Sequence, residues 1–264
     1  EGGGGGERME AFFSVLPVLL PATLSCDPTS DGNRKMVQQV CEWVYADMPG
    51  NHRVWRHELS VCQAVEAAAT RIPPSVVHSL VLPALQRSML VSSPAVAAAA
   101  TSALLKLIRI SRNPQLRLEI CTKLTTQWGK ANSCARRLLF CEICTQVLRL
   151  FSRAFFKCLF AETALLLSSD PVANVRRRVC SLLPEIKKSL VLPQDVLIVE
   201  NTLSRTISLL KDKDPDVVRA AQSISDEVYL VQQVRTAPDA QEDARRGDEE
   251  VLHGSLDKLS TYLV

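Results

Sequence analysis

The chain has 264 residues, 47% of them hydrophobic and only 5% aromatic, with a net charge of +3. That charge is too small to point to a nucleic-acid or membrane partner, and no run reaches the roughly 18 apolar residues of a membrane span. Nine cysteines, an odd number, behind an acidic start without a basic leader argue against a disulfide-stapled secreted domain; a reducing, cytoplasmic location is expected.

In chain order, the glycine-rich residues 1–8 are expected to be disordered. Met9–Ser25 reads as an apolar helix that Pro17 and Pro21 should bend or break. Arg34–Met48 reads as a helix with Met36, Val40, Trp43 and Val44 on one side. Its register stays open: it either closes a damaged unit 9–48 or begins the next pair. Beyond it the pairs are regular. Pro74–Val91 precedes a helix over 95–111, and Pro114–Gly129 precedes one over 133–151, with Gly129 placed to cap a C-terminus. Arg153–Ser168 precedes 171–190, and Gln194–Lys211 precedes 215–234. Pro73, Pro74, Pro114 and Pro193 mark starts of first helices, and Pro94, Pro171 and Pro215 starts of second ones. Pro83 and Pro184 fall inside helices and should kink them. The polar stretch 236–248 reads as a linker. Residues 249–264, with Val251, Leu252, Leu256, Leu259 and Leu263, form a possible terminal helix. It would either cap the stack or stay loose, and the abrupt change in composition favours loose.

The second helices repeat one pattern. Val175, Val179, Leu182 and Ile186 recur at helical spacing behind Asp170-Pro171, as do Val217, Ala221, Ile224, Val228 and Val231 behind Asp214-Pro215. Val96, Ala100, Ala103, Leu107 and Ile110 follow Ser93-Pro94, and Cys134, Leu138, Cys141, Thr145 and Leu148 follow Asn132-Ser133. Val54, Glu58, Val61, Val65 and Ala68 keep the same rhythm, broken at Glu58. The first register positions 54, 96, 134, 175 and 217 are separated by 42, 38, 41 and 42 residues. HEAT and armadillo units run to about 40–47 residues. The fold class expected is therefore all-α, a HEAT/armadillo-type superhelical solenoid of about five helix pairs over 9–235.

Catalytic chemistry finds no footing. Cys141-Glu-Ile-Cys144 lies mid-helix in an apolar rhythm, which suits core packing better than a metal or redox site. His52, His57, His78 and His253 make no H-x-x-x-H pair, and no phosphate loop, dinucleotide fingerprint or nucleophile elbow occurs. No enzyme activity, metal or cofactor is expected. The basic cluster Arg176-Arg-Arg178 with Lys187-Lys188, preceded one unit earlier by Arg136-Arg137, lacks the interleaved aromatic residues that stack on bases. One arginine per unit is expected to bond an acid across the turn. The turns near 51–56, 93–95, 131–136, 170–177 and 212–219 should line one edge, which solenoids use to hold proteins. The residues singled out for partner binding are Arg53, Trp55, Arg136, Asp170, Asn174, Arg177, Asp214 and Asp216. Trp55 suits an interface anchor and a core position equally.

Asp170, Val175 and Arg176 resemble the HEAT signature of an acidic turn followed by Val-Arg. Asp214, Val218 and Arg219 are similar with one residue fewer. Leu148-Arg-Leu-Phe-Ser-Arg-Ala-Phe-Phe-Lys157, Leu182-Leu-Pro-Glu-Ile-Lys187 and Lys211-Asp-Lys-Asp214 together resemble the HEAT-repeat regulatory subunits of serine/threonine protein phosphatase 4, relatives of the protein phosphatase 2A scaffold. The resemblance implies a non-catalytic protein that binds a metal-dependent phosphatase catalytic subunit, with metals and catalytic residues belonging to that partner. The alternative among HEAT stacks is a transport or assembly adaptor of the importin or coat type. A preference for basic targeting peptides would then call for an acidic concave face, which the positive net charge disfavours.

Overall fold

A computed structural model describes residues 4–26, 31–33, 35, 36, 39, 55–72, 74–91, 93–229 and 237–252. Among the described residues all regular structure is helical. The chain divides into two compact units, Glu1–Ser111 and Arg112–Val264. Each is built of packed helices, so the all-α fold class expected from the forty-residue period is the one observed.

The first unit holds α1 (Gly4–Cys26), α2 (Trp55–Ala68), α3 (residues 74–91) and α4 (Pro94–Ile110). α1 packs on α2, while α2 and α3 both pack on α4. α1 continues through Pro17 and Pro21 instead of breaking, and it buries Phe13, Leu16 and Leu20. The helix also begins at Gly4, inside the stretch expected to be disordered. In α3 the segment Val77–Val81 is π-helical. It lies just before Pro83, which offers no N–H to the carbonyl four residues back; the wider turn absorbs that break. Ser93 caps α4, its hydroxyl accepting from the Val96 N–H at 3.5 Å. The expected seam of Val96, Ala100, Ala103 and Leu107 is buried. Arg53, His52 and most of the predicted helix 34–48 lie outside the described residues.

The second unit holds α5 (residues 114–129), α6 (Cys134–Leu150), α7 (Arg153–Leu159), α8 (Ala161–Leu166), α9 (Ala173–Cys180), α10 (Leu183–Lys188), α11 (Val196–Leu210), α12 (Pro215–Tyr229) and α13 (Ala237–Leu252). The predicted helix 171–190 is interrupted at Ser181-Leu182. Pro184 lies in the first turn of α10, where a missing donor costs nothing, so the chain restarts instead of kinking. The few aromatic residues gather here: Phe140, Phe151, Phe155, Phe156 and Phe160 are all buried. Phe151 stacks on Phe155 with ring centroids 4.4 Å apart, and Phe140 and Phe156 both lie within 6.3 Å of Phe160. Gly129 serves this core through its size. A Cβ there would stand 2.5 Å from Thr163 Cγ2 and 3.2 Å from the Phe140 ring, so close approach of α5 to α6 and α8 excludes a side chain.

Two expectations are corrected here. The seam of α6 is Arg137, Phe140, Cys141, Cys144 and Val147, not the series beginning at Cys134, which is exposed. The stretch 236–248, expected as a linker, is helical from Ala237 and runs on to Leu252. Residues 253–264, with His253, Leu256, Leu259 and Leu263, lie outside the described residues.

Candidate protein-interaction surface

The turns between paired helices in the second unit are joined by two rungs of arginine and aspartate. Arg137, at the start of α6, donates Nε to Asp170 Oδ2 at 2.5 Å and Nη2 to Oδ1 at 2.9 Å. Its third nitrogen, Nη1, donates to the carbonyls of Ala131 and Asn132 at 2.7 and 2.8 Å. Arg176, at the start of α9, repeats this one unit later. Nε and Nη2 reach Asp212 at 2.7 and 2.8 Å, and Nη1 reaches the carbonyls of Asp170 and Pro171 at 2.7 and 3.2 Å. Each aspartate also accepts the N–H two residues on, from Val172 at 2.8 Å and from Asp214 at 2.9 Å. The planar guanidinium fork thus meets a carboxylate face to face while its remaining edge holds the turn backbone. Charge and hydrogen bonding act together: the bonded aspartates raise the pKa values of Arg137 and Arg176, and Arg176 lowers that of Asp212.

This geometry fixes the equivalences. Ala131, Asp170 and Asp212 occupy one position; Arg137, Arg176 and Val218 occupy the other. The alignment of Asp214 with Asp170, and of Arg219 with Arg176, is therefore corrected by two residues and one. Asp214 instead caps α12, its Oδ1 accepting from the N–H groups of Asp216 and Val217 at 2.9 and 3.3 Å. Arg219 pairs with Asp216 on the surface. The ladder also ends cleanly, with alanine where a third acid would stand and valine where a third arginine would stand. No rung is left half made.

The internal rungs consume alternate residues of the turns and leave the others outside. Asp170, expected as a partner contact, is buried with its carboxylate committed to Arg137. Arg136, Asn174, Arg177 and Asp216 are exposed on the same turns, and Asp214 is half-buried. Asn174 Oδ1 accepts from Arg177 Nη2 at 3.1 Å. Neighbouring helices are tied across the surface as well, by Arg178 to Glu142 at 2.5 Å and by Arg205 to Ser169 at 2.8 Å. In the first unit Trp55 is 38% exposed, and the Arg56 guanidinium lies 5.2 Å from its ring centroid. That settles Trp55 as a surface residue.

The cysteine pair is core. Cys141 and Cys144 are buried; burial pushes the Cys141 thiol up to about 12 and that of Cys144 well above its usual value. Among the described residues no group of three or more His, Cys, Asp or Glu is placed to hold a metal ion, and no helix is long and apolar enough to cross a membrane.

No protein-family model matches the chain. Over 218 residues, 82% of its length, it is 30% identical to the human protein named serine/threonine-protein phosphatase 4 regulatory subunit 4. The mouse protein of the same name matches at the same identity over the same share. This chain is a homologue of phosphatase 4 regulatory subunit 4. It spans 23% of the length of those relatives. Their name describes a regulatory subunit of a phosphatase.

Inspection of the sequence missed Arg137 as the ladder residue and Asp212 as its second acid. A signal was present: Arg137 and Arg176 each precede an aspartate by similar intervals, 33 and 36 residues. Ser152 and Glu250, which meet in the second unit, carried no such signal.

Proposed function

We propose that this chain is part of a non-catalytic scaffold or regulatory subunit that binds a serine/threonine phosphatase catalytic subunit. Residues 9–235 form the helical scaffold in this reading, and the partner supplies metals and catalytic groups. The observation that carries it is the 30% identity over 82% of the chain to proteins named as regulatory subunits of phosphatase 4. The turns supply a surface suited to the task. In the second unit the buried rungs hold the turns rigid, so Arg136, Asn174, Arg177 and Asp216 are presented from fixed backbone. In the first unit, Trp55 with Arg56, and Arg53 before them, offer an aromatic anchor with flanking cations. The free cysteines of the helix faces suit the reducing cytoplasm in which such a complex would work.

The test is retention of purified phosphatase 4 catalytic subunit on the immobilised chain. Wild type should retain it. The triple variant R136E/R177E/D216K should bind at least about tenfold more weakly, roughly 1.4 kcal/mol, with unchanged helical content. Failure of the wild type to retain the subunit overturns the function; equal binding by the variant overturns the assignment of the surface.

A further inference from the structure

Helix α13 does not extend the stack. It returns to the loop between α6 and α7, about one hundred residues earlier in the chain. Glu250 is fully buried there; its Oε1 accepts the Ser152 N–H at 2.8 Å, and its Oε2 accepts the Ser152 hydroxyl. Asp243 Oδ1 accepts the Arg153 N–H at 2.9 Å and lies 3.9 Å from Arg153 Nε. Asp243, Gly247 and Glu250 follow at steps of four and three, hence on one helix face. Gly247 lies on that face beside Ser152, where a Cβ would stand in ordinary contact, 4.0 Å from Ser152 Cβ.

What attaches this helix is unusual for the molecule. Elsewhere the seams carry Leu, Val, Ile and Phe along with Ala and Cys, but between Ala237 and Glu250 the only apolar residues are alanines and one proline. Six acidic residues stand there against two arginines, and Arg245 and Arg246 are engaged with Glu242 within the helix. The surface beneath is complementary. The face that receives α13 presents the Arg153 side chain, one hydroxyl and two backbone N–H groups, all suited to carboxylates.

We propose that α13 is a detachable latch, an acidic helix bound in cis through Asp243 and Glu250 to an acceptor surface formed by Ser152-Arg153. Detachment exposes this surface to an acidic helix presenting two carboxylates seven residues apart. The contact rests on side-chain carboxylates at two points, so it opens without dismantling the apolar core of α6–α10. Tethering supplies an effective concentration on the order of millimolar, which holds a weak contact closed.

The test uses the full chain and its D243A/E250A variant, with amide hydrogen exchange and a fluorescein-labelled peptide of residues 237–252. Exchange over 240–250 should quicken at least tenfold in the variant, with α9 and α11 unchanged. The peptide, titrated to millimolar, should bind the variant at least fivefold more tightly than wild type, whose surface is occupied; the same peptide carrying both alanines should not bind. Unchanged exchange over 240–250 overturns the role of the carboxylates. Loss of protection throughout α7–α10 overturns detachability, because the helix would then be integral to the core. No peptide binding to the variant, or equal binding to both chains, overturns the acceptor surface.

Discussion

Replacing Asp170 by alanine tests the ladder most directly. The Asp170 side chain is 2% exposed and that of Arg137 10%, so the substitution leaves a guanidinium nearly out of water with Nε and Nη2 unpaired. Nη1 keeps the carbonyls of Ala131 and Asn132, and those dipoles do not neutralise the charge. The Val172 N–H loses its acceptor too. Breaking a buried ion pair from one side costs about 3–5 kcal/mol, a change of more than two powers of ten in the local opening equilibrium. The surface pair Asp216–Arg219, with side chains 60% and 74% exposed, is a control within the same unit: Asp216→Ala should cost less than about 1 kcal/mol. Urea unfolding followed by far-UV circular dichroism measures both, and amide exchange in α6 and α9 localises the effect. The double variant Arg137→Met with Asp170→Ala should be more stable than Asp170→Ala alone, because it removes the stranded cation. A loss below about 1 kcal/mol for Asp170→Ala, or a double variant less stable than that single one, refutes the reasoning.

Further outcomes follow from the same geometry. Gly129→Ala should destabilise by about 1–3 kcal/mol, read by thermal unfolding, because its Cβ would meet Thr163 and Phe140. Cys134 should react rapidly with a thiol reagent at pH 8 in the native protein, while Cys121, Cys141 and Cys144 react only on unfolding, as mass spectrometry of labelled peptides would show. The folded-state pKa of Asp212 lies below its usual value of 3.8, so the unfolded chain takes up that proton first as pH falls. The rung's contribution should be complete above about pH 5 and disappear as pH drops below 4 through the folded value. Asp212→Asn should flatten that part of the stability profile, measured by denaturation at successive pH values.

The fold was legible where apolar spacing is the whole signal. In α4, α9 and α10 the predicted seam residues Val96, Ala100, Ala103 and Leu107, then Val175, Val179, Leu182 and Ile186, are buried. α6 misled because its seam includes Arg137, a residue no apolar pattern would place inside. Its guanidinium is satisfied by Asp170, 33 residues away, and such compensation appears only once the turns stand side by side. The same holds for α13, which reaches Ser152 through Glu250 and Arg153 through Asp243, contacts that no apolar pattern announces. For the candidate surface, Arg136 and Arg177, singled out in sequence, are exposed, while Asp170, singled out with them, is buried against Arg137. A single residue of helical rotation sends Arg136 to solvent and Arg137 to Asp170.

The alanine and valine that close the ladder, Ala131 and Val218, have a further effect. If the helix pairs of the second unit were threaded together one place out of step, Arg137 or Arg176 would face a neighbour with no acid to receive it, and an aspartate elsewhere would be left alone out of water. Hydrophobic seams of similar shape tolerate such a slip; two forks and two carboxylates do not. The ladder thus acts as a key that admits one order of assembly, so mispaired stacks should be rare on folding.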